Sequence, residues 1–127
     1  MAASEITNSR ETVELFDIVY RLGVQLANVT PFGTLVAGTI LARTGAFLVP
    51  YDPAGAGDIT VPVGVLGADV VNPAAGGQFI DIRHIVGGGV RRELLDVFGV
   101  GAATDIDVDA LRSVGIIPVA VKQLRKT

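Results

Sequence analysis

The sequence predicts a mainly β protein with one short helix: a small β-rich barrel or sandwich-like body preceded by an extended N-terminal arm. Three observations predict it. Short apolar runs alternate with a period of two residues. Glycine and proline interrupt those runs at the intervals expected of turns. Only Asp107 to Gly115 combines a helical pattern with start and stop signals. At 127 residues the chain is one folding unit by size. No repeat of solenoid period and no linker divides it. The reading places an arm at residues 1–29 and a β-rich body at residues 30–127.

Met1 to Thr12 is small and polar, and is expected to stay disordered until something orders it. From there Phe16, Ile18, Tyr20, Leu22, Val24 and Leu26 alternate with Asp17, Val19, Arg21, Gly23 and Gln25. Leu15, Ile18, Val19, Leu22 and Leu26 also fall on one helical face, with Thr12 as a possible N-cap. Gly23 and the aromatic and β-branched content favour the strand. The body then opens with a strand at Leu35–Leu41. Its organising stretch is Gly38 to Leu66, where a tight Thr44-Gly45 turn joins two apolar runs. Gly45 can take the positive φ that such a hairpin needs. Pro50 and Pro53 remove backbone donors, so the run through Phe47, Val49 and Tyr51 must sit at a sheet edge or end quickly. Asp52 to Asp58 is turn chemistry.

Val61 to Val71 is rich in strand formers, with bends or bulges expected at Gly64 and Gly67. Asn72 to Gly77 reads as a loop. Gln78 to Val86 alternates, with Ile80, Ile82, His84 and Val86 as the expected core face, and Gly87-Gly88-Gly89 is expected to break it. Val90 to Phe98 fits a further strand or a single helical turn. Asp107 can cap the short helix, and Gly115 can take a left-handed conformation at its end. Ile116 to Leu124 reads as a final strand.

Hydrophobic residues make up 50% of the chain and glycines number 16, while charged residues reach only 18%. An ordinary soluble domain carries about 45–50% apolar residues with glycine included, and about 25% charged ones. A domain this small has too little interior to hide that surplus. Some of it is therefore expected to be buried against another chain. The net charge of −3 argues against direct nucleic-acid binding, which needs a basic surface. The apolar runs are too short to span a membrane as helices, and the polar, acidic start lacks the pattern of a secretory signal. With no cysteine, disulfides and thiolate metal sites are excluded.

The candidate chemical motifs are weak. His84 is the only histidine, and a zinc site or general base needs partners it lacks. Gly87-Gly88-Gly89 misses the Gly-Lys-Ser/Thr ending of a phosphate loop. Asp105, Asp107 and Asp109 imitate the start of a calcium loop, but Ala110 and Ile116 occupy the positions that need glycine and glutamate. Helix capping explains these aspartates better. No Gly-x-Ser-x-Gly nucleophile motif occurs. Nothing positive points to catalysis, and the reading is of a non-enzyme with no cofactor and no metal.

The order G-T-I-L-A-R-T-G-A-F-L-V-P-Y-D-P, a small-residue loop, then V-P-V-G-V-L-G-A-D-V resembles the head decoration proteins of lambda-type tailed bacteriophages. The resemblance covers Val36 to Val71, and more loosely the strand near Phe79–Val86 and the tail from Val108. It implies a compact β-rich body seated as trimers at three-fold and quasi-three-fold positions. These lie on the outer surface of the virion capsid, after synthesis in the host cytoplasm. It also implies an N-terminal arm reaching the major capsid protein, and a role in stabilising the head against the pressure of packaged DNA. An extended apolar segment can add itself to a partner's sheet edge. Phe16, Ile18, Tyr20 and Leu22 are the expected anchors of such an arm. The best-known members carry a mainly polar, proline-containing arm, whereas residues 13 to 29 here are apolar. The arm's target is thus either the capsid protein or a neighbouring decoration subunit.

Two other classes stay open. A small β-barrel ligand-binding domain would gather Arg83, His84, Arg91 and Arg92 around an anion. A structural subunit of another symmetric assembly would share the surplus of apolar surface.

Overall fold

The computed structural model describes residues 13–28, 34–71 and 78–120. Ten strands and one helix follow in order: β1 (Glu14–Asn28), β2 (Thr34–Leu35), β3 (Ile40–Thr44), β4 (Phe47–Pro50), β5 (Pro62–Leu66), β6 (Val70–Val71), β7 (Gln78–Arg91), β8 (Asp96–Val97), β9 (Gly101–Ala102), α1 (Asp105–Arg112) and β10 (Ile116–Val119). The class is the expected one: mostly β, with a single helix and a curled half-barrel sheet.

The main sheet runs β1-β4-β3-β5-β7-β10, and β1 also pairs with β7. The pairings β1–β4, β4–β3, β3–β5, β5–β7 and β7–β1 therefore form a ring, with β10 attached outside it. Leu26, Leu41, Leu48, Leu66 and Ile82 supply one apolar side chain from each ring strand, and Leu35 and Val70 join them. This is the inner cluster of the curl. On the opposite face Ile40, Ala42, Tyr51, Val65, Ile85 and Val90 pack with Leu95, Val97, Leu111 and Ile116. Alternation puts Leu41 inside and Ala42 outside, as a pleat demands.

The hairpin between β3 and β4 is as the sequence indicates, with Gly45 at φ +59° and Thr44 opposite Phe47. Pro62 stands at the first position of β5, where a missing donor is tolerated.

Three expectations need correction. Leu35–Leu41 is not one strand. The chain turns through Val36–Thr39, because Gly38 adopts φ +99° and its N–H donates to the Leu66 carbonyl at 2.7 Å. Gly87-Gly88-Gly89 does not end β7. The strand continues to Arg91 and absorbs the glycines as a bulge, with Gly88 at φ +101°. Finally, the boundary at residue 29 does not separate an arm from a body. Glu14–Asn28 is extended, but it is hydrogen-bonded into the sheet along β7, and Val13 and Leu26 are buried. Residues 1–12, Thr30-Pro31, the Asn72–Gly77 loop and the tail from residue 121 lie outside the described residues.

The N-cap residue of α1 is Thr104, and Asp107 helps to cap its first turn. Asp107 sits at the third helical position and accepts from the Thr104 N–H at 2.9 Å and its hydroxyl at 3.1 Å, completing a capping box. Its other oxygen accepts the Tyr51 hydroxyl at 2.8 Å, tying the helix to the end of β4.

Candidate interaction surface

β1 is not a uniform strand. Its register against β7 shifts between Glu14 and Phe16, Phe16 and Val19, Val19 and Tyr20, and Arg21 and Val24. Asp17 carries φ +51°, a conformation in which aspartate is better tolerated than bulky or β-branched residues. Each shift re-aims the side chains that follow. The four anchors expected on one face are consequently divided. Ile18 and Tyr20 pack against the outer core cluster. Phe16 lies across β7 and is 46% exposed, while Leu22 and Val19 are 71% and 54% exposed.

The glycine run of β7 makes room for this arrangement. A Cβ on Gly89 would lie 2.2 Å from the Phe16 ring, so the ring rests directly on that glycine. A Cβ on Gly87 would meet the Val19 side chain at 3.5 Å. On the other edge of β7, Ile117 of β10 is in register with Gly89 and is exposed. Phe16, Val19 and Ile117 thus form an apolar band across β1, β7 and β10, with Leu22 further along β1. A Cβ at Gly89 would displace the Phe16 ring, whereas one at Gly87 would make only ordinary van der Waals contact with Val19.

Among the described residues β10 ends the sheet and pairs only with β7. Pro118 in its middle removes one donor, which blunts the edge against uncontrolled strand addition.

The basic residues proposed for an anion pocket are dispersed. The Arg83 guanidinium lies over the Tyr20 ring, 4.3 Å from its centroid, on the outer side of the sheet. His84, the next residue, points the other way and is buried, with Nδ1 lacking a hydrogen-bond partner. Burial, then Arg21 and Arg43, hold its pKa below the ordinary histidine value. Arg91 is half-buried, and Arg92 forms an exposed ion pair with Asp105. Beside Tyr20 and Arg83 a cavity of about 180 Å³ opens, lined also by Glu14, Leu66, Gly67 and Ile82.

The three aspartates of α1 are used locally. Asp105 pairs with Arg92, Asp107 caps the helix, and Asp109 lies 3.6 Å from Arg112. Among the described residues no group of three or more histidine or carboxylate side chains is placed to hold a metal. No described helix is long and apolar enough to cross a membrane.

The sequence reading missed Val19 and Ile117. The signal available for them was Gly87-Gly88-Gly89, since three glycines within a long strand imply that something lies against it. No protein-family model matches the chain, and no curated protein matches it.

Proposed function

We propose that this chain is a capsid decoration protein, seated as trimers on the outside of an assembled bacteriophage head and cross-tying its subunits. The observation that carries the reading is the exposed apolar band of Phe16, Val19, Leu22 and Ile117 on one small domain. Single exposed apolar residues are ordinary, but a band built on a glycine saddle suits burial against another chain. The ordered sequence words from Val36 to Val71 supply the kind of assembly. In this reading the major capsid protein and neighbouring copies of the chain are the partners, and β1 contributes contacts as part of the body.

The ligand-binding alternative is less favoured by cavity size. Of two depressions lined by described residues, the more enclosed holds about 180 Å³, below the ~300–1,000 Å³ typical of small-molecule pockets. A second, of about 370 Å³ beside Arg43, is wide open to solvent.

The test is to look for a capsid-protein gene beside this one and to co-sediment the chain with heads assembled from its product, followed by imaging of the particles. Saturable binding with density at three-fold positions is expected. Leu22→Asp, at a solvent-facing position, should weaken binding about tenfold or more while leaving the melting temperature unchanged. Heads that remain bare at saturating protein would overturn the reading.

A further inference from the structure

The inner face of the curl is leucine-lined except at one end, where basic groups gather. Arg21 of β1 is the register partner of His84 on β7. Directly paired residues project from the same face. On the other side of β7, the His84 ring lies over Gly64 of β5, where an added Cβ would sit 2.4 Å from imidazole Cδ2. Gly64 is opposite Leu41 of β3. Arg43 follows two residues later, on the same face of that strand. The strand directions relate these positions to one end of the curl: β3 and β7 run towards it, while β1, β4 and β5 run away from it.

Among the described residues no carboxylate pairs with this positive charge. Neither Arg21 nor Arg43 forms an ion pair among the described residues, and the one hydrogen bond of Arg43 goes from Nε to the Gly45 carbonyl. Asp58 borders the open depression beside Arg43 without pairing to it. β5 contributes only Gly64 and Leu66 next to His84. A buried imidazole with an unpartnered Nδ1 completes the group. In a chain of net charge −3, two guanidiniums with no ion pair among the described residues, beside a buried histidine, form a local site of the opposite sign.

We propose that Arg21, Arg43 and His84 form an oxyanion-binding site at this end of the half-barrel. Guanidinium groups match phosphate and carboxylate oxygens with two parallel donors, and their charge strengthens those bonds. The neighbouring imidazole can take up a proton when negative charge arrives. Both arginines oppose that proton in the free protein. A bound anion reverses the local field and favours it, so binding is coupled to proton uptake and tightens as pH falls below the ordinary histidine range. The site does not depend on the chain being a capsid protein.

The experiment titrates inorganic phosphate into the full chain at constant ionic strength, following the His84 ring by NMR and the melting temperature in parallel. A saturable shift of the His84 resonances with a matching rise in melting temperature is expected; with sulfate, which keeps its charge between pH 6 and pH 8 while phosphate gains a proton, the response should be stronger at pH 6. Arg21→Gln and Arg43→Gln should each weaken it about tenfold, by loss of one charge-assisted contact. Arg21 is exposed, so its variant should keep the parent fold, and the melt without phosphate checks this. A parallel titration with acetate decides whether a tetrahedral oxyanion or a carboxylate is the better ligand. A linear, unsaturating response, or equal responses in parent and variants, would overturn the site.

Discussion

Gly38 carries more of this fold than its size suggests. Its N–H donates to Leu66 and its carbonyl accepts from Asp96, joining the β2–β3 turn to β5 and β8. A Cβ there would lie 1.9 Å from the Leu94 carbonyl oxygen, on a backbone already at φ +99°. Gly38→Ala should therefore cost more than about 3 kcal/mol. Gly45→Ala, also at positive φ but in open space, should cost only about 1–2 kcal/mol. Urea unfolding of the pair would measure the difference. Tyr51 offers a second test. Burial and then the bond to Asp107 push its pKa up to about 12. A raised value in the fold means stability that is complete below pH 10 and is lost as pH rises towards 12. Tyr51→Phe should lower stability by about 1–2 kcal/mol at neutral pH and flatten that alkaline decline. His84 works with the opposite sign. Its neutral form is the one the fold accepts, so the unfolded chain takes up the proton more readily. Stability should fall as pH drops below about 6.5, and His84→Gln should remove that component from the acid limb of a pH–stability profile.

At the scale of elements, β1 decides how the chain can be cut. It pairs with β7 along most of its length and with β4 near its end, and it brings Leu26 into the inner cluster. Deleting residues 13–28 should abolish cooperative thermal unfolding, because β7 and β4 would lose a partner and the leucine cluster a member. A sharp melt in the truncated chain would show that the strand is dispensable. The sequence carried enough to identify this strand, since Gly23 and the β-branched residues weigh against a helix. It did not carry the bulges. Alternation of Phe16, Ile18, Tyr20 and Leu22 reads as one face only if the register is unbroken, and the register depends on β7, some sixty residues away. The same holds at β5, where a register shift against β3 lets Val63 pack with the inner cluster while Val65 packs with the outer one. Local turn chemistry was more legible. Gly45 marked its hairpin correctly because a two-residue turn needs no distant partner. The basic group of Arg21, Arg43 and His84 could not be read at all, because only sheet topology brings β1, β3 and β7 to one end.

For the molecule as a whole, the composition anticipated surface apolar area that one small core would leave uncovered, and Val100 and Ile106 are exposed along with the band on β1 and β10. Lowering the apolar character of that band should leave the fold intact and reduce association. Phe16→Ser combined with Ile117→Thr is expected to keep the parent melting temperature within about 1 kcal/mol of stability and to lower the sedimentation coefficient of any self-associated species. An unchanged coefficient would place the self-contact elsewhere. The ring of pairings has one more consequence, in time rather than space. The first described strand to leave the ribosome is completed only by the seventh, so the early segment waits while more than sixty further residues are made. Long-range pairing of this kind makes folding slow compared with helical proteins of equal size. The nascent chain should therefore resist collapse into its final form until the stretch around Val90 has emerged, and a stalled chain ending before that point should remain open to protease.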